Sequence, residues 1–286
     1  MTLFDQEDSG SPIPAPADAP PVEPAGDRVE PLDAGEQVAR VQMTMAYDGS
    51  GFRGVWPNRG VRTVGAVLQQ AIAQVLGHEI ALAFAGRTDA GVHAHGQVAS
   101  FDARRAGLDL DSLQRSLNSM CGPEIVVREV TEVDAGFDAR HSATARCYRY
   151  TILNRTVPDP FLAATVWHVP TPLDLPAMRL ACDPLIGEHD FSSFCRRPKR
   201  RPDLSLRRRV IDATWLDLGD DLLRFDIEAN AFCHQMVRSI VGLHVDVGLG
   251  ELRAGDVNAV MHARDRQAAG DLAQPQGLTL WHVRYD

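Results

Sequence analysis

Residues 40–51 read RVQMTMAYDGSG, and this stretch decides how the ordered part of the chain begins. From Val41 to Tyr47 every second side chain is apolar, and those between them are polar or small. A period of two is typical of a β-strand with one face buried and the other facing solvent. The run from Asp48 to Gly51 then supplies residues that favour a turn, so a first strand is predicted to end at Tyr47.

Outward from this strand, helical and strand patterns follow one another to the end of the chain. Apolar residues recur at helical spacing from Val64 to Leu76, where Thr63 is placed to cap the start of a helix and Gly77 its end. Further strands are predicted over residues 80–85, 97–102, 125–133, 144–153, 210–218, 222–229 and 278–285, and further helices over 111–120, 174–186, 232–247 and from about 256. This order predicts an α+β fold with two related sheet-and-helix halves, which form a mixed, mainly antiparallel sheet with the active cleft between them.

The composition of residues 1–39 sets them apart from the rest. They hold seven of the eighteen prolines and nine acidic residues against a single arginine. Such a segment buries too little apolar surface to offset the entropy of ordering, so it is predicted to be a disordered acidic tail, either dispensable or functional. The remainder is predicted to divide into an N-terminal half, residues 40–160, and a C-terminal half, residues 161–286.

Nothing in the composition indicates a membrane or export. No stretch approaches the roughly 20 apolar residues needed to span a bilayer. The N-terminus also lacks the basic-then-apolar order of a secretory signal. The five cysteines are odd in number and form no CxxC pair, so neither a disulfide framework nor a structural zinc site is predicted. These features favour a protein of the cytoplasm without membrane partners.

The net charge of −9 looks unfavourable for binding nucleic acid, but the charge is unevenly distributed. Residues 1–39 carry −8 of it, so the remainder is nearly neutral. Eight basic residues lie between positions 196 and 209 and are opposed by Asp203 alone: Arg196, Arg197, Lys199, Arg200, Arg201, Arg207, Arg208 and Arg209. Such a cluster fits contact with RNA phosphates, and a solvated charged loop is the alternative.

Residues 86–101, GRTDAGVHAHGQVASF, bring several chemically active side chains together behind a predicted strand. Glycine-framed loops at strand ends commonly carry functional residues. A polar turn capped by Asp89 is one interpretation of the pattern. Another is a metal-dependent hydrolase that uses Asp89, His93 and His95 as ligands, although no second carboxylate lies nearby in sequence.

The same segment, in company with others, resembles the tRNA pseudouridine synthase A family. The resemblance covers about residues 40–286 and rests on several separated motifs in the family's order. They are the Asp48-Gly49 turn, residues 86–94 (GRTDAGVHA), 137–140 (FDAR), 147–150 (CYRY), 187–194 (GEHDFSSF), 231–242 (AFCHQMVRSIVG) and 275–280 (PQGLTL). One departure is visible, because residues 54–57 (GVWP) and 63–65 (TVG) stand where the family usually has Gly-Trp-Gln and Thr-Val-Gln. The role of the loop around Trp56 is therefore left open.

The resemblance implies an enzyme that isomerises uridine to pseudouridine at nucleotides 38, 39 and 40 of the tRNA anticodon arm, as a homodimer. It implies Asp89 as the catalytic carboxylate, Arg238 as the cation that keeps it ionised, and Tyr148 as an aromatic surface for the extruded uracil. Neither cofactor nor metal is implied, since the reaction involves no redox change, and the chain has no Walker loop or GxGxxG. The remaining candidate substrate-binding residues are Arg87, Thr88, His93, Arg196, Arg197 and Arg200. A catalytically silent RNA-binding module is the alternative to the enzyme.

Overall fold

The first predicted strand starts the sheet on which the molecule is built. In the computed structural model, which describes residues 36–197 and 203–285, β1 spans Val38–Tyr47 and begins two residues before the predicted start. Val41, Met43 and Met45 are fully buried, whereas Gln42 and Thr44 are partly exposed. The alternation in the sequence therefore marks a strand with one face in the core.

Nine further strands complete the sheet within the described residues. They are β2 (Ala83–Phe84), β3 (His93–Arg104), β4 (Ile125–Val133), β5 (Ala145–Leu153), β6 (Trp167–His168), β7 (Gly187–Asp190), β8 (Arg207–Asp217), β9 (Leu222–Ala229) and β10 (Leu278–Arg284). The main order is β4-β1-β3-β10-β5-β9-β8-β7, with β2 beside β3 and β6 beside β5. The β3–β10 and β5–β6 pairs are parallel and the other pairs are antiparallel. The predicted α+β class with a mixed, mainly antiparallel sheet is confirmed.

Five α-helices accompany these strands in the part of the chain that the structure describes. They are α1 (Val64–Leu76), α2 (Leu110–Cys121), α3 (Leu175–Leu180), α4 (Met236–Gly248) and α5 (Asp256–Ala263). The predicted caps of α1 are present, because the Thr63 side chain accepts a hydrogen bond from the Ala66 amide and Gly77 adopts the left-handed conformation at φ 73°. One hydrophobic cluster joins the buried faces of α1 and α4 to those of β1, β5 and β9.

Two predicted helices are shorter in the structure, for local reasons. The helix predicted over residues 174–186 ends at Leu180 and is followed by a short 3-10 turn at Asp183–Leu185. Pro184 lacks an amide hydrogen and disfavours helical backbone before it. The helix predicted from residue 232 begins only at Met236, because Gln235 takes the left-handed conformation at φ 68°. The short strands β6 and β7 were not predicted.

The two predicted halves share one continuous sheet. The last strand, β10, lies between β3 and β5 and pairs with both. β5 belongs by sequence to residues 40–160, yet it also pairs with β9 from residues 161–286. Loops from distant parts of the chain therefore meet at this junction. No helix of the described residues is long and apolar enough to cross a bilayer.

Two of the five cysteines lie side by side in the structure. The Cα atoms of Cys195 and Cys233 are 5.8 Å apart, whereas Cys121, Cys147 and Cys182 are free and buried. Cys195 and Cys233 are 38 positions apart in sequence. Local spacing rules such as CxxC do not detect a pair that only the folded backbone brings together.

Candidate active site

Asp89 lies in the loop between β2 and β3, and glycines give this loop its shape. Gly91 adopts a positive φ of 76°, a conformation that costs an L-residue energy but not glycine. Gly54 approaches the loop so closely that a β-carbon there would lie 2.8 Å from the Thr88 carbonyl oxygen. The Asp89 carbonyl accepts a hydrogen bond from the Val92 amide at 3.2 Å, which closes the turn behind the carboxylate.

The Asp89 carboxylate is held between two basic side chains, one on each oxygen. His234 Nε2 lies 3.1 Å from Oδ1, and Arg238 Nη1 lies 3.4 Å from Oδ2. Asp89 and Arg238 are 149 residues apart in sequence, so the contact depends on the shared sheet. The structure thus brings together the two residues that the sequence analysis proposed as a pair.

Arg238 does not form the bidentate pair with Asp89 that its planar fork allows. Its Nε donates instead to the Ala273 carbonyl at 2.8 Å, and the Ala273 amide donates back to the Arg238 carbonyl at 3.1 Å. The side chain is only 14% exposed. The guanidinium is therefore fixed by the backbone ahead of β10 and presents one nitrogen to the carboxylate.

The electrostatic balance at Asp89 favours the ionised form. Burial raises the pKa of the carboxyl, but the hydrogen bond and charge of His234 and the charge of Arg238 together lower it further, so the pKa lies below the ordinary value of an aspartate. Asp89 is consequently a carboxylate at neutral pH. This is the state in which it can act as a nucleophile or as a base.

Tyr148 forms one wall of the same cleft. It lies on β5, is 6% exposed, and meets the Phe232 ring edge-on with ring centroids 5.0 Å apart. Gly86 leaves room for it, since a β-carbon there would lie 3.3 Å from the Tyr148 hydroxyl oxygen. Burial raises the pKa of that hydroxyl well above its usual range, so the phenol is neutral.

Thr88 and His93 support the loop from behind. The Thr88 hydroxyl lies 2.7 Å from the Tyr47 hydroxyl, and both side chains are buried. His93 accepts a hydrogen bond from the Gly49 amide at Nδ1, and its Nε2 lies 3.0 Å from the Ala164 carbonyl oxygen. Both side chains therefore fix the Asp89 loop to neighbouring segments.

The three residues of the metal-site hypothesis point to different partners. Asp89 contacts His234 and Arg238, whereas His93 contacts backbone atoms of Gly49 and Ala164 and the Asp48 carboxylate, 3.2 Å from its Nδ1. His95 instead stacks on Trp281 with ring centroids 3.9 Å apart. Across residues 36–197 and 203–285, no three His, Cys, Asp or Glu side chains form a group that could hold a metal ion. The geometry gives no support to the hydrolase hypothesis.

Asp89 opens into a cavity of about 770 Å³ with a strongly basic lining. Tyr148, Trp56 and the predicted Arg87 line it, and so do Arg196 and Arg197 of the basic cluster. The other arginines of the lining are Arg53, Arg140, Arg146, Arg208 and Arg238. Arg200, also predicted to bind substrate, lies outside the described residues. The lining also includes a second carboxylate, Asp138, so the cavity combines two carboxylates and an aromatic wall with arginines suited to phosphates.

His234 was missed as a site residue. It lies inside the motif 231–242 and takes part in the strongest contact that Asp89 makes. Its position before a helix carries no signal of its own, because a histidine there is more often simply exposed. A contact across 145 residues appears only when α4 is docked beside the Asp89 loop.

Comparison with known proteins identifies the class. A family model described as tRNA pseudouridine synthase matches residues 181–286, the region that carries His234 and Arg238. The tRNA pseudouridine synthase A of Geobacillus sp. (strain WCH70) is 41% identical over 248 residues, which cover 86% of this chain and 98% of the relative. That of Methylobacterium sp. (strain 4-46) is 41% identical over 86% of this chain and 97% of its own length, and that of Leifsonia xyli subsp. xyli (strain CTCB07) is 37% identical over 87% and 93%.

An α+β sheet with this cleft and these relatives defines an RNA-modifying isomerase of the pseudouridine synthase class. The chain belongs to the tRNA pseudouridine synthase A family, and the resemblance drawn from the separated sequence motifs is confirmed.

Proposed function

We propose that this chain isomerises uridine to pseudouridine in the anticodon arm of tRNA, at nucleotides 38, 39 and 40, with Asp89 as the catalytic carboxylate. In this reaction the bond between uracil N1 and ribose C1′ breaks, the base rotates, and C5 bonds to C1′. The proton lost from C5 is balanced by one gained at N1. Asp89 acts either by attacking C1′ or by removing the proton at C2′.

The observation that carries this proposal is the ionised Asp89 between His234 and Arg238 at the floor of the basic cavity. Burial by itself would raise the pKa of Asp89 and favour its neutral form, which cannot act as a nucleophile or base. His234 and Arg238 lower the pKa and keep the carboxylate ionised. Each half contributes to the unit, Asp89 from residues 40–160 and its two partners from residues 161–286. We propose the same two-half division for the chain as a whole.

Tyr148 supplies the surface for the extruded uracil. An enzyme that acts on a base in a stem must take it out of the stack, and an aromatic ring partly replaces the lost stacking. Since Tyr148 is neutral and held edge-on by Phe232, its ring is presented in a fixed orientation. Its hydroxyl makes no hydrogen bond within the described residues and is open to the cleft.

The arginines at the rim bind the phosphates on either side of the extruded nucleotide. Arg87, Arg196 and Arg197 are placed for this, with Arg197 held by the Leu204 carbonyl at 3.1 Å. Charge of this kind gives affinity without sequence information. We further propose that the chain works in the cytoplasm, as its composition indicates, and as a homodimer, as its family resemblance implies.

Mapping of pseudouridine in tRNA incubated with the pure protein tests the proposal. Wild-type protein should modify nucleotides 38 to 40. Asp89→Asn, which is nearly isosteric and uncharged, should form none while it still binds tRNA, because affinity comes mainly from phosphate contacts. Substantial product from Asp89→Asn would refute the catalytic assignment. Binding without any product from the wild type would favour a silent RNA-binding module.

A further inference from the structure

Two aromatic side chains of the described residues are largely exposed, Trp56 at 42% and Phe161 at 94%. Trp56 lines the cavity that contains Asp89, whereas Phe161 lies on a loop away from it. Exposed indole surface is unfavourable in water, since burying an aromatic of this size is strongly stabilising. Because Trp56 lies at the mouth of the cleft, its exposed face is a candidate surface for binding a ligand.

The backbone fixes Trp56 relative to the catalytic loop. Its neighbour Val55 is fully buried, and the Val55 amide donates to the Thr88 carbonyl at 3.2 Å, one residue before Asp89. On the other side, the Val55 carbonyl accepts from the Gly65 amide at 2.9 Å. The indole is thus attached to two elements of the site and does not sit on a free loop.

A cation completes the surface. The Arg87 guanidinium lies 5.6 Å from the centroid of the Trp56 ring, within the range of a cation–π contact. A tryptophan face beside a guanidinium matches the two parts of a nucleotide, a flat base and a charged phosphate. The basic lining of the cavity argues for RNA over an apolar peptide as the occupant.

We propose that Trp56 and Arg87 form a stacking platform for a base adjacent to the target uridine, with the indole face against the base and Arg87 on its phosphate. The inference rests on the proposed function. Tyr148 lies deep in the cleft and Trp56 at its mouth, so one takes the extruded uracil and the other a neighbouring nucleotide. Trp56 is then a positioning residue that holds the RNA in register.

Steady-state kinetics on an anticodon stem-loop transcript separate this role from a structural one. Trp56→Ala should raise KM about tenfold and leave kcat within about twofold, as loss of one stacked base predicts. Trp56→Phe retains a smaller face and should fall between Ala and wild type. Phe161→Ala removes a more exposed aromatic outside the cleft and should match the wild type. Unchanged KM in Trp56→Ala, or an equal loss in Phe161→Ala, would refute the platform.

A spectroscopic measurement tests the contact directly. The nucleotides flanking the target are replaced one at a time by 2-aminopurine, whose fluorescence responds to stacking, and the RNA is bound to Asp89→Asn protein so that no turnover intervenes. One position should change its fluorescence on binding, and Asp89→Asn/Trp56→Ala should abolish that change. If both proteins give the same signal at every position, the platform is refuted. Failure of wild-type protein to form pseudouridine would instead refute the proposed function.

Discussion

Arg238→Lys is the sharpest test of the electrostatic argument, because it keeps the positive charge and removes the planar guanidinium. In the structure one nitrogen of the guanidinium contacts Asp89 while another donates to the Ala273 carbonyl. A lysine ammonium on a flexible stem cannot keep both contacts at their present positions. A hydrogen bond to a charged group contributes about 1.5–3 kcal/mol. Since about 1.4 kcal/mol is a factor of ten in rate, turnover should fall roughly 10- to 150-fold.

Tritium release from C5-labelled uridine in tRNA measures this turnover, with tRNA binding measured in parallel. Arg40→Lys is the matched control, because Arg40 forms a two-point pair with Asp102 on the sheet, outside the cleft. Arg40→Lys also replaces a guanidinium that is paired with an aspartate, and its turnover should stay within about twofold of the wild type. If Arg238→Lys stays as active as Arg40→Lys, a positive charge alone suffices and the fixed guanidinium has no role in the reaction.

Four further predictions follow from the same geometry. His234→Asn removes the contact that most lowers the pKa of Asp89, so the acidic limb of the pH–rate profile should move to higher pH, and an unmoved limb would contradict this. Tyr148→Phe should retain turnover better than Tyr148→Ala, because the ring and not the hydroxyl supports the base; equal loss would contradict it. Burial lowers the pKa of His244 to about 4, so the unfolded chain binds a proton that the folded one does not between pH 6.5 and 4. About 3 kcal/mol of stability should be lost as pH falls through this window, and urea titrations should show a flatter profile for His244→Gln. Deletion of residues 1–35 should leave activity within a few-fold, whereas a cut at 39 also removes two paired residues of β1.

Elements were predictable where the local sequence determines the local structure. The alternation of β1 and the capped helix α1 fall into this class, since both patterns depend on side chains a few residues apart. The start of α4 was not predictable, because Gln235 takes a left-handed conformation, at φ 68°, that residues other than glycine seldom adopt. The strand order could not be predicted from the sequence either, since no local pattern indicates that β10 inserts between β3 and β5.

The candidate site shows the same limit. Asp89 was found because the whole motif 86–94 is contiguous, and Arg238 because a resemblance linked two distant motifs. His234 lies in the same motif as Arg238, but the resemblance assigned it no role, although its ring is closer to the carboxylate than the Arg238 guanidinium is. The planar fork of Arg238 could pair with a carboxylate through two nitrogens, but its Nε donates to Ala273, a contact visible only in three dimensions. His234 and Arg238 lie at nearly the same distance from Asp89 in sequence, so the difference between them is that the resemblance assigned a role to Arg238 and none to His234.

The position of β10 connects folding to catalysis. Ala273 lies just ahead of this strand and exchanges two hydrogen bonds with Arg238. β10 itself pairs with β3, whose start adjoins the Asp89 loop. It also pairs with β5, the strand that carries Tyr148. One strand, β10, therefore contacts or adjoins the segments that carry the carboxylate, its guanidinium and the aromatic wall. Because β10 lies between β3 and β5, the Asp89 pair requires residues from both halves to be assembled in one sheet. The charge balance that keeps Asp89 ionised is thus a property of the completed fold.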